Sequence, residues 1–140
     1  MTDFNAQLIG RTEKALNAIL DRELAAIGIT EPQWVALTLT VTGGSTGAEV
    51  LVGRIAQALR VDAATARQRL DELEAAGLTR ITDGVAAATD QGTASWHQVR
   101  NAVAPITRTL WGDLPPADLA TAGRVLTTVL ARADTMLSAR

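Results

Sequence analysis

Three polar residues in the middle of the chain could read the edges of DNA bases. On a helix, Thr65, Arg67 and Gln68 project away from the apolar face formed by Ala66, Leu70 and Leu73. Arginine pairs with guanine, and glutamine with adenine, through two hydrogen bonds each. Without a surrounding DNA-binding motif, a merely solvated helix face would be the better interpretation. With the helix-turn-helix described below, we predict base contacts for these three residues.

Four further arginines could hold the phosphate backbone, because the planar guanidinium fork matches phosphate oxygens. The alternative is that they form ion pairs within the chain. Any DNA surface must be local, since the formal net charge of the whole chain is −2 and bulk binding to DNA favours a basic protein. These four candidates are Arg54, Arg60, Arg69 and Arg80.

The aromatic residues suggest a second kind of site. The chain has three tryptophans, one phenylalanine and no tyrosine. Trp34, Trp96 and Trp111 could simply fill a core, where tryptophan is usually found. They could instead line a pocket for a planar apolar molecule, because an indole offers a flat face and one N–H donor.

Catalytic and metal chemistry have few candidate residues. The absence of cysteine excludes disulfides, thiolate nucleophiles and cysteine-based redox sensing. The single histidine, His97, cannot build a metal site or a catalytic triad alone, and we assign it to surface or packing. The glycine-rich run at 43–47 lacks the lysine of a phosphate-binding loop. We expect no enzymatic activity, no metal and no other cofactor.

The first elements that must position these residues are two helices. Apolar residues recur at spacings of three and four over 4–27, which predicts an amphipathic helix ending at Gly28. Thr30 followed by Gln33 is a capping box, and it predicts a second helix over about 31–41.

Two more helices and a hairpin follow. Thr46 with Glu49 predicts another capping box at the start of a third helix, and Asp62 predicts the N-cap of a fourth. Residues 78–82 and 85–88 are short, partly β-branched segments joined by Asp-Gly, the dipeptide of a tight hairpin turn. Two helices followed by such a hairpin form a winged helix-turn-helix, in which the second helix fits the major groove.

Long amphipathic helices close both ends of the chain. Thr89 predicts the cap of a fifth helix, and residues 119–137 show the one-sided apolar pattern of a last one. Their apolar faces need a cover, either from a second copy or from packing within one chain.

The order and spacing of these segments resemble the multiple-antibiotic-resistance regulator (MarR) family over nearly all 140 residues. The resemblance implies a mainly α fold, with a single domain at 1–140. It also implies a winged helix-turn-helix lobe at 30–88 and dimerisation helices at 4–27 and 89–138. The segments that carry it are 28–34, 55–62, 70–78, 89–92 and 114–137.

The resemblance also implies a function. It indicates a homodimeric, sequence-specific transcriptional regulator, a repressor that binds double-stranded DNA and is released by a small apolar or aromatic ligand. The ligand would bind where the recognition helix meets the dimer helices. No apolar run is long enough to span a bilayer and no signal segment is seen, so we expect a cytoplasmic protein without membrane contact.

Two departures from the family keep a second function open. The hairpin is short and its tip carries no basic residue. Glu72 stands where the family often has a basic residue. Glu72 could pair with Arg69, bond to Gln68 or accept from cytosine. The alternative function is a winged-helix module that binds proteins and not DNA.

Overall fold

The computed structural model describes residues 3–139 as six α-helices, one 3₁₀ turn and three short strands. The helices are α1 (Ala6–Leu24), α2 (Glu31–Gly43), α3 (Ala48–Leu59), α4 (Ala63–Ala75), α5 (Asp90–Trp111) and α6 (Pro116–Ser138). The 3₁₀ turn is Ala25–Ile27, and the strands are β1 (Thr46–Gly47), β2 (Thr79–Thr82) and β3 (Val85–Ala88).

Side chains predicted as caps begin two of the helices of the lobe. Thr30 Oγ1 accepts from Gln33 N at 3.4 Å and Gln33 Oε1 accepts from Thr30 N at 2.9 Å, so the capping box of α2 is confirmed. Asp62 Oδ1 accepts from Thr65 N at 2.7 Å and caps α4. Both helices therefore begin where short-range polar chemistry predicted.

The predicted capping box of α3 is wrong. Gly47 is the N-cap residue, and no side chain bonds to the first turn. Thr46 lies instead in β1, paired with Ala86, and its hydroxyl donates to the Gly43 carbonyl at 3.3 Å. The Ala48 N–H donates to Gly84 O at 2.8 Å, so backbone bonds to the hairpin replace the side-chain cap.

The three strands form one antiparallel sheet in the order β1-β3-β2. Asp83 and Gly84 both have positive φ, at 52° and 77°, as a type I′ hairpin turn requires. The hairpin predicted by the sequence is confirmed. Strand β1 was missed, because two residues are too short to show an alternating pattern.

The described residues divide into two compact units, one up to Val103 and one from Ala104. In the first unit, α4 contacts both α2 and α3, and the hairpin contacts α2. One apolar core joins residues of α1 to α5 with residues of the β2–β3 hairpin, which is the wing. Its largest fully buried apolar side chains are Leu24, Leu37, Leu51, Ile55, Leu70, Leu73 and Val99.

A close backbone approach ties the start of α5 to the base of the wing. A Cβ on Gly92 would lie 1.9 Å from the Leu78 carbonyl oxygen, so only glycine fits there. Thr89 caps the helix by accepting from Gly92 N at 3.0 Å, and its own hydroxyl donates to Gly77 O at 2.6 Å. The predicted cap at Thr89 is thereby confirmed.

The second unit comprises the end of α5 and all of α6. None of its described side chains is buried. Large apolar residues are exposed along it, namely Leu110, Trp111, Leu114, Val125, Leu126, Val129, Leu130, Met136 and Leu137.

Among residues 3–139, no single helix is both long and apolar enough to cross a membrane. The helical segments 6–27 and 31–43 reach that length and apolarity only as a pair, which is bent by 74°.

Candidate nucleic-acid interface

The helix-turn-helix is built by α3, a three-residue turn and α4. Arg60 ends α3 in the left-handed conformation, with φ 59° and ψ 44°, and Val61 N donates back to Ala56 O at 3.1 Å. On α4, Ala66, Leu70 and Leu73 are fully buried, as their spacing predicted. The inner face of α4 is therefore fixed and its opposite face is turned outward.

The predicted base-contacting residues lie on that outward face. Gln68 is exposed, while Thr65 and Arg67 are half-buried. Hydrogen bonds from Thr65 hold the pKa of the Asp62 carboxyl below its ordinary value. The backbone N–H of Thr65 makes the larger contribution and its hydroxyl the smaller one. The start of α4 thus keeps an ionised cap beside the outward face.

Two carboxylates hold the guanidinium of Arg67. Its Nε donates to Asp71 Oδ1 at 3.1 Å, one turn further along α4. Its Nη1 lies 3.5 Å from Glu49 Oε1, on the first turn of α3. The Arg67 side chain is 42% exposed and that of Glu49 is 90% exposed. Each pair is therefore a surface interaction of modest strength.

Glu72 has a structural partner that sequence reasoning missed. Gln33 Nε2 donates to Glu72 Oε1 at 3.0 Å. Arg69 Nε lies 3.3 Å from the same oxygen, as an ion pair without hydrogen-bond alignment. Of the partners considered from the sequence, Arg69 is present. The sequence predicts only the capping role of Gln33, since nothing in it links two residues 39 positions apart.

The remaining predicted arginines are exposed around the helix-turn-helix. Arg54 lies on α3, with Nη1 next to Gly43 at the end of α2, and Arg60 lies in the turn before α4. Arg80 projects from β2 into an open groove that Ser45 and Thr82 also line. The elements that carry Arg54 and Arg80, α3 and β2, both contact α4.

Two of the three tryptophans come together. The rings of Trp34 and Trp96 stack with centroids 6.3 Å apart and planes inclined by 18°. Trp96 Nε1 donates to Thr38 Oγ1 at 3.0 Å, the Arg100 guanidinium lies 5.3 Å from the Trp96 ring centroid, and the His97 ring meets Trp96 edge-on at 5.0 Å. Both indoles are half-buried against the core, so they serve packing, and Trp96 also borders a cationic group.

Trp111 belongs to the second unit, where its side chain is 39% exposed. Within residues 3–139, no three histidine, cysteine, aspartate or glutamate side chains converge on a point where a metal ion could bind.

Comparison with known proteins identifies the architecture. No protein-family model and no curated protein matches the chain. The reduced form of MarR from E. coli aligns with a TM-score of 0.71 at 21% identity, over 93% of this chain and 96% of that one. The chain has the MarR-type winged-helix fold.

Two further structures agree with this assignment. A MarR-family transcriptional regulator from Silicibacter pomeroyi gives a TM-score of 0.72 at 22% identity, over 89% of this chain and 86% of that one. The transcriptional repressor CouR gives 0.77 at 19% identity, over 91% and 93%. The predicted mainly α winged helix-turn-helix is therefore confirmed at the level of the MarR-type fold.

Proposed function

We propose that the protein is a sequence-specific DNA-binding transcriptional regulator of the cytoplasm, acting as a homodimeric repressor without catalytic activity. The observation that carries this proposal is α4, whose inner face is buried against α2 and α3 while Thr65, Arg67 and Gln68 face outward. Structural neighbours that include a transcriptional repressor support it. In a helix-turn-helix, this face enters the major groove.

The homodimer would be held by the terminal helices, at 4–27 and 89–138. Apolar side chains are exposed along α6, and such a face needs a partner. Two copies related by a two-fold axis would bind a pseudo-palindromic site with half-sites about one helical turn apart. Light scattering at micromolar concentration tests this point, and a monomer would contradict it.

The DNA function is tested by gel shift with the DNA upstream of the protein's own gene. Arg67→Ala and Gln68→Ala should each relax sequence preference, by about 1 to 3 kcal/mol for each bidentate hydrogen-bond pair that is removed. Arg80→Ala should weaken all sequences alike, because a phosphate contact carries no sequence information. Equal losses of affinity on specific and random DNA for Arg67→Ala would count against the base-reading role.

A second candidate function is a winged-helix module that binds proteins and not DNA. It is favoured by the carboxylates beside Arg67 and Arg69. It is also favoured by the hairpin tip, which carries Asp83 and no basic residue. Failure of the wild-type protein to shift any duplex at low salt would select it.

The effector proposed for the regulator is a small planar aromatic acid. The Trp34–Trp96 stack offers aromatic faces, and Arg100 beside it offers a charge partner for a carboxylate. Trp111 lies in the second unit, so its predicted role in a pocket is not part of this proposal. An effector that weakens DNA binding tenfold must prefer one conformation by about 1.4 kcal/mol.

A panel of aromatic acids, followed by tryptophan fluorescence and gel shift together, tests the effector. Trp96→Phe should lower the response more than Trp111→Phe, which serves as the matched control in the second unit. If no compound changes either signal, the tryptophans serve packing only.

A further inference from the structure

Helix α4, together with the start of α3 beside it, carries more negative than positive charge. Two cationic side chains, Arg67 and Arg69, meet three anionic ones, Glu49, Asp71 and Glu72. A surface selected only for affinity to phosphate would present free cations, because each arginine that neutralises a phosphate releases counterions. The carboxylates therefore need a separate explanation.

Arg67 is the residue where this arrangement matters most. Its two carboxylate partners come from different elements and bind different nitrogens, Asp71 at Nε and Glu49 at Nη1. An i,i+4 pair along one helix is common and of little consequence by itself. The contact from α3 adds a second carboxylate, which contacts the guanidinium from the neighbouring helix.

DNA must compete with these carboxylates for the same donors. An exposed ion pair changes an equilibrium by no more than about fivefold. A bidentate contact with guanine discriminates by about five- to 150-fold, so guanine can replace a carboxylate with a net gain. A single phosphate contact carries no comparable gain, and both carboxylates would also repel the phosphates.

We propose that Glu49 and Asp71 determine the specificity of the recognition helix, by holding Arg67 so that guanine releases it and the phosphate backbone does not. This inference rests on the DNA-binding function proposed above. By themselves, these two acidic residues only weaken the attraction to phosphate. Their proposed role is to suppress binding to random DNA.

The test compares wild type with Glu49→Gln, Asp71→Asn and the double variant by fluorescence anisotropy. The specific duplex is selected from a random pool with the wild-type protein, and a scrambled duplex of equal length represents random DNA. Asp113→Asn, an exposed carboxylate between α5 and α6, is the control for a change of one charge. Thermal unfolding of each variant confirms that it is folded.

The double variant should bind random DNA about five- to tenfold more tightly, with a smaller gain on the specific duplex. Freeing one arginine for phosphate should steepen the slope of log K against log salt by about one on random DNA. The preference for G·C should weaken at the position that Arg67→Ala also relaxes. Asp113→Asn should change the affinity for both duplexes by the same factor.

Two results would overturn the inference while leaving the DNA-binding function standing. One is a double variant that binds both duplexes as wild type does, and the other is a gain equal on both duplexes and matched by Asp113→Asn. A wild-type protein that binds no duplex at about 50 mM salt, where phosphate contacts are strong, would instead refute the proposed function, and this inference with it.

Discussion

Helices α4 and α6 are both predicted by apolar residues at helical spacing, yet the apolar face of α4 is buried and that of α6 is exposed. In α4, 13 residues long, Ala66, Leu70 and Leu73 are completely buried. In α6, 23 residues long, no described residue is buried, and Leu130 is 56% exposed. Periodicity therefore predicts which face of a helix is apolar, but it does not predict what covers that face.

The difference follows from the connections of each helix. α4 is joined to α3 and to the hairpin by very short segments, so its apolar face meets neighbours from the same chain. The second unit holds only the end of α5 and α6, too few elements to enclose a core. A second copy of the chain is the cover that the proposed function supplies.

The largest effect should come from changing one apolar residue in each helix. Leu73→Ala should lower the free energy of unfolding by about 2 to 5 kcal/mol, because it leaves a cavity in a closed core. Leu130→Glu should instead convert the proposed dimer to a monomer, since it places a charge on the face proposed to be shared. Urea unfolding and light scattering on both variants separate the two effects.

If both variants changed stability and mass in the same way, the proposed difference between α4 and α6 would be contradicted. A Leu130→Glu protein that keeps the mass of wild type would show that α6 is not part of the dimer interface. Ser138→Glu, at the exposed end of α6, is the control for adding a charge to this helix, and it should change neither stability nor mass.

Glycines in the two units should respond to alanine with opposite signs. Gly92→Ala forces a Cβ against the Leu78 carbonyl, a backbone atom that cannot turn aside, and should cost about 1 to 3 kcal/mol or more. Gly123→Ala in α6 meets nothing within 4 Å and should gain roughly 0.5 to 1 kcal/mol, because alanine favours helix. Thermal unfolding measures both.

A loss of stability in Gly123→Ala would be informative in its own way. It would indicate that another chain approaches α6 at this glycine, where the single chain leaves open space. Gly53→Ala, on the exposed side of α3 with nothing within 4 Å, is the matched control within the lobe.

Much of the lobe could be predicted from the sequence because its signals are local. The capping box at Thr30, the cap at Asp62 and the Asp83-Gly84 turn each depend on residues a few positions apart. Strand β1 could not be predicted, since pairing with β3 across the fold creates it and overrides the expected cap at Thr46.

In the candidate site, the outward positions were predicted from the sequence, but the contacts between its residues were not. The outward positions of Arg67 and Gln68 follow from helical spacing alone. The contacts Glu49–Arg67 and Gln33–Glu72 join different helices, and the helix packing that sets these distances has no local signature.

The polar tie between α2 and α4 should have a smaller effect than either core change. Gln33→Glu keeps an acceptor for the Thr30 N–H but replaces the donor to Glu72 with a second carboxylate. We expect a loss of about 1 kcal/mol at neutral pH. Gln98→Glu, exposed on α5, is the matched control in urea unfolding, and an equal loss there would show that the Gln33–Glu72 contact is unimportant.

The smallest effect should be electrostatic and should depend on pH. Partial burial, then the charges of Glu13 and Asp21 on α1, raise the pKa of Glu31 above its ordinary 4.5. Between 4.5 and the raised value the folded state binds more protons than the unfolded one, so Glu31 makes stability fall as pH rises through this window. Asp62 has the opposite sign, because its lowered pKa means that stability is lost as pH falls below its ordinary 3.8.

Removing one of the charges that face Glu31 tests this assignment. Asp21→Asn should stabilise the protein at neutral pH by less than about 1 kcal/mol, because solvent screens groups that are only partly buried. The gain should shrink toward about pH 4, where Glu31 becomes protonated and the repulsion disappears. Urea unfolding between these two pH values measures it, with Asp62→Asn as the contrasting variant, since asparagine still caps α4 but does not titrate. A gain from Asp21→Asn that stays constant over this range would show that Glu31 is not the group responding.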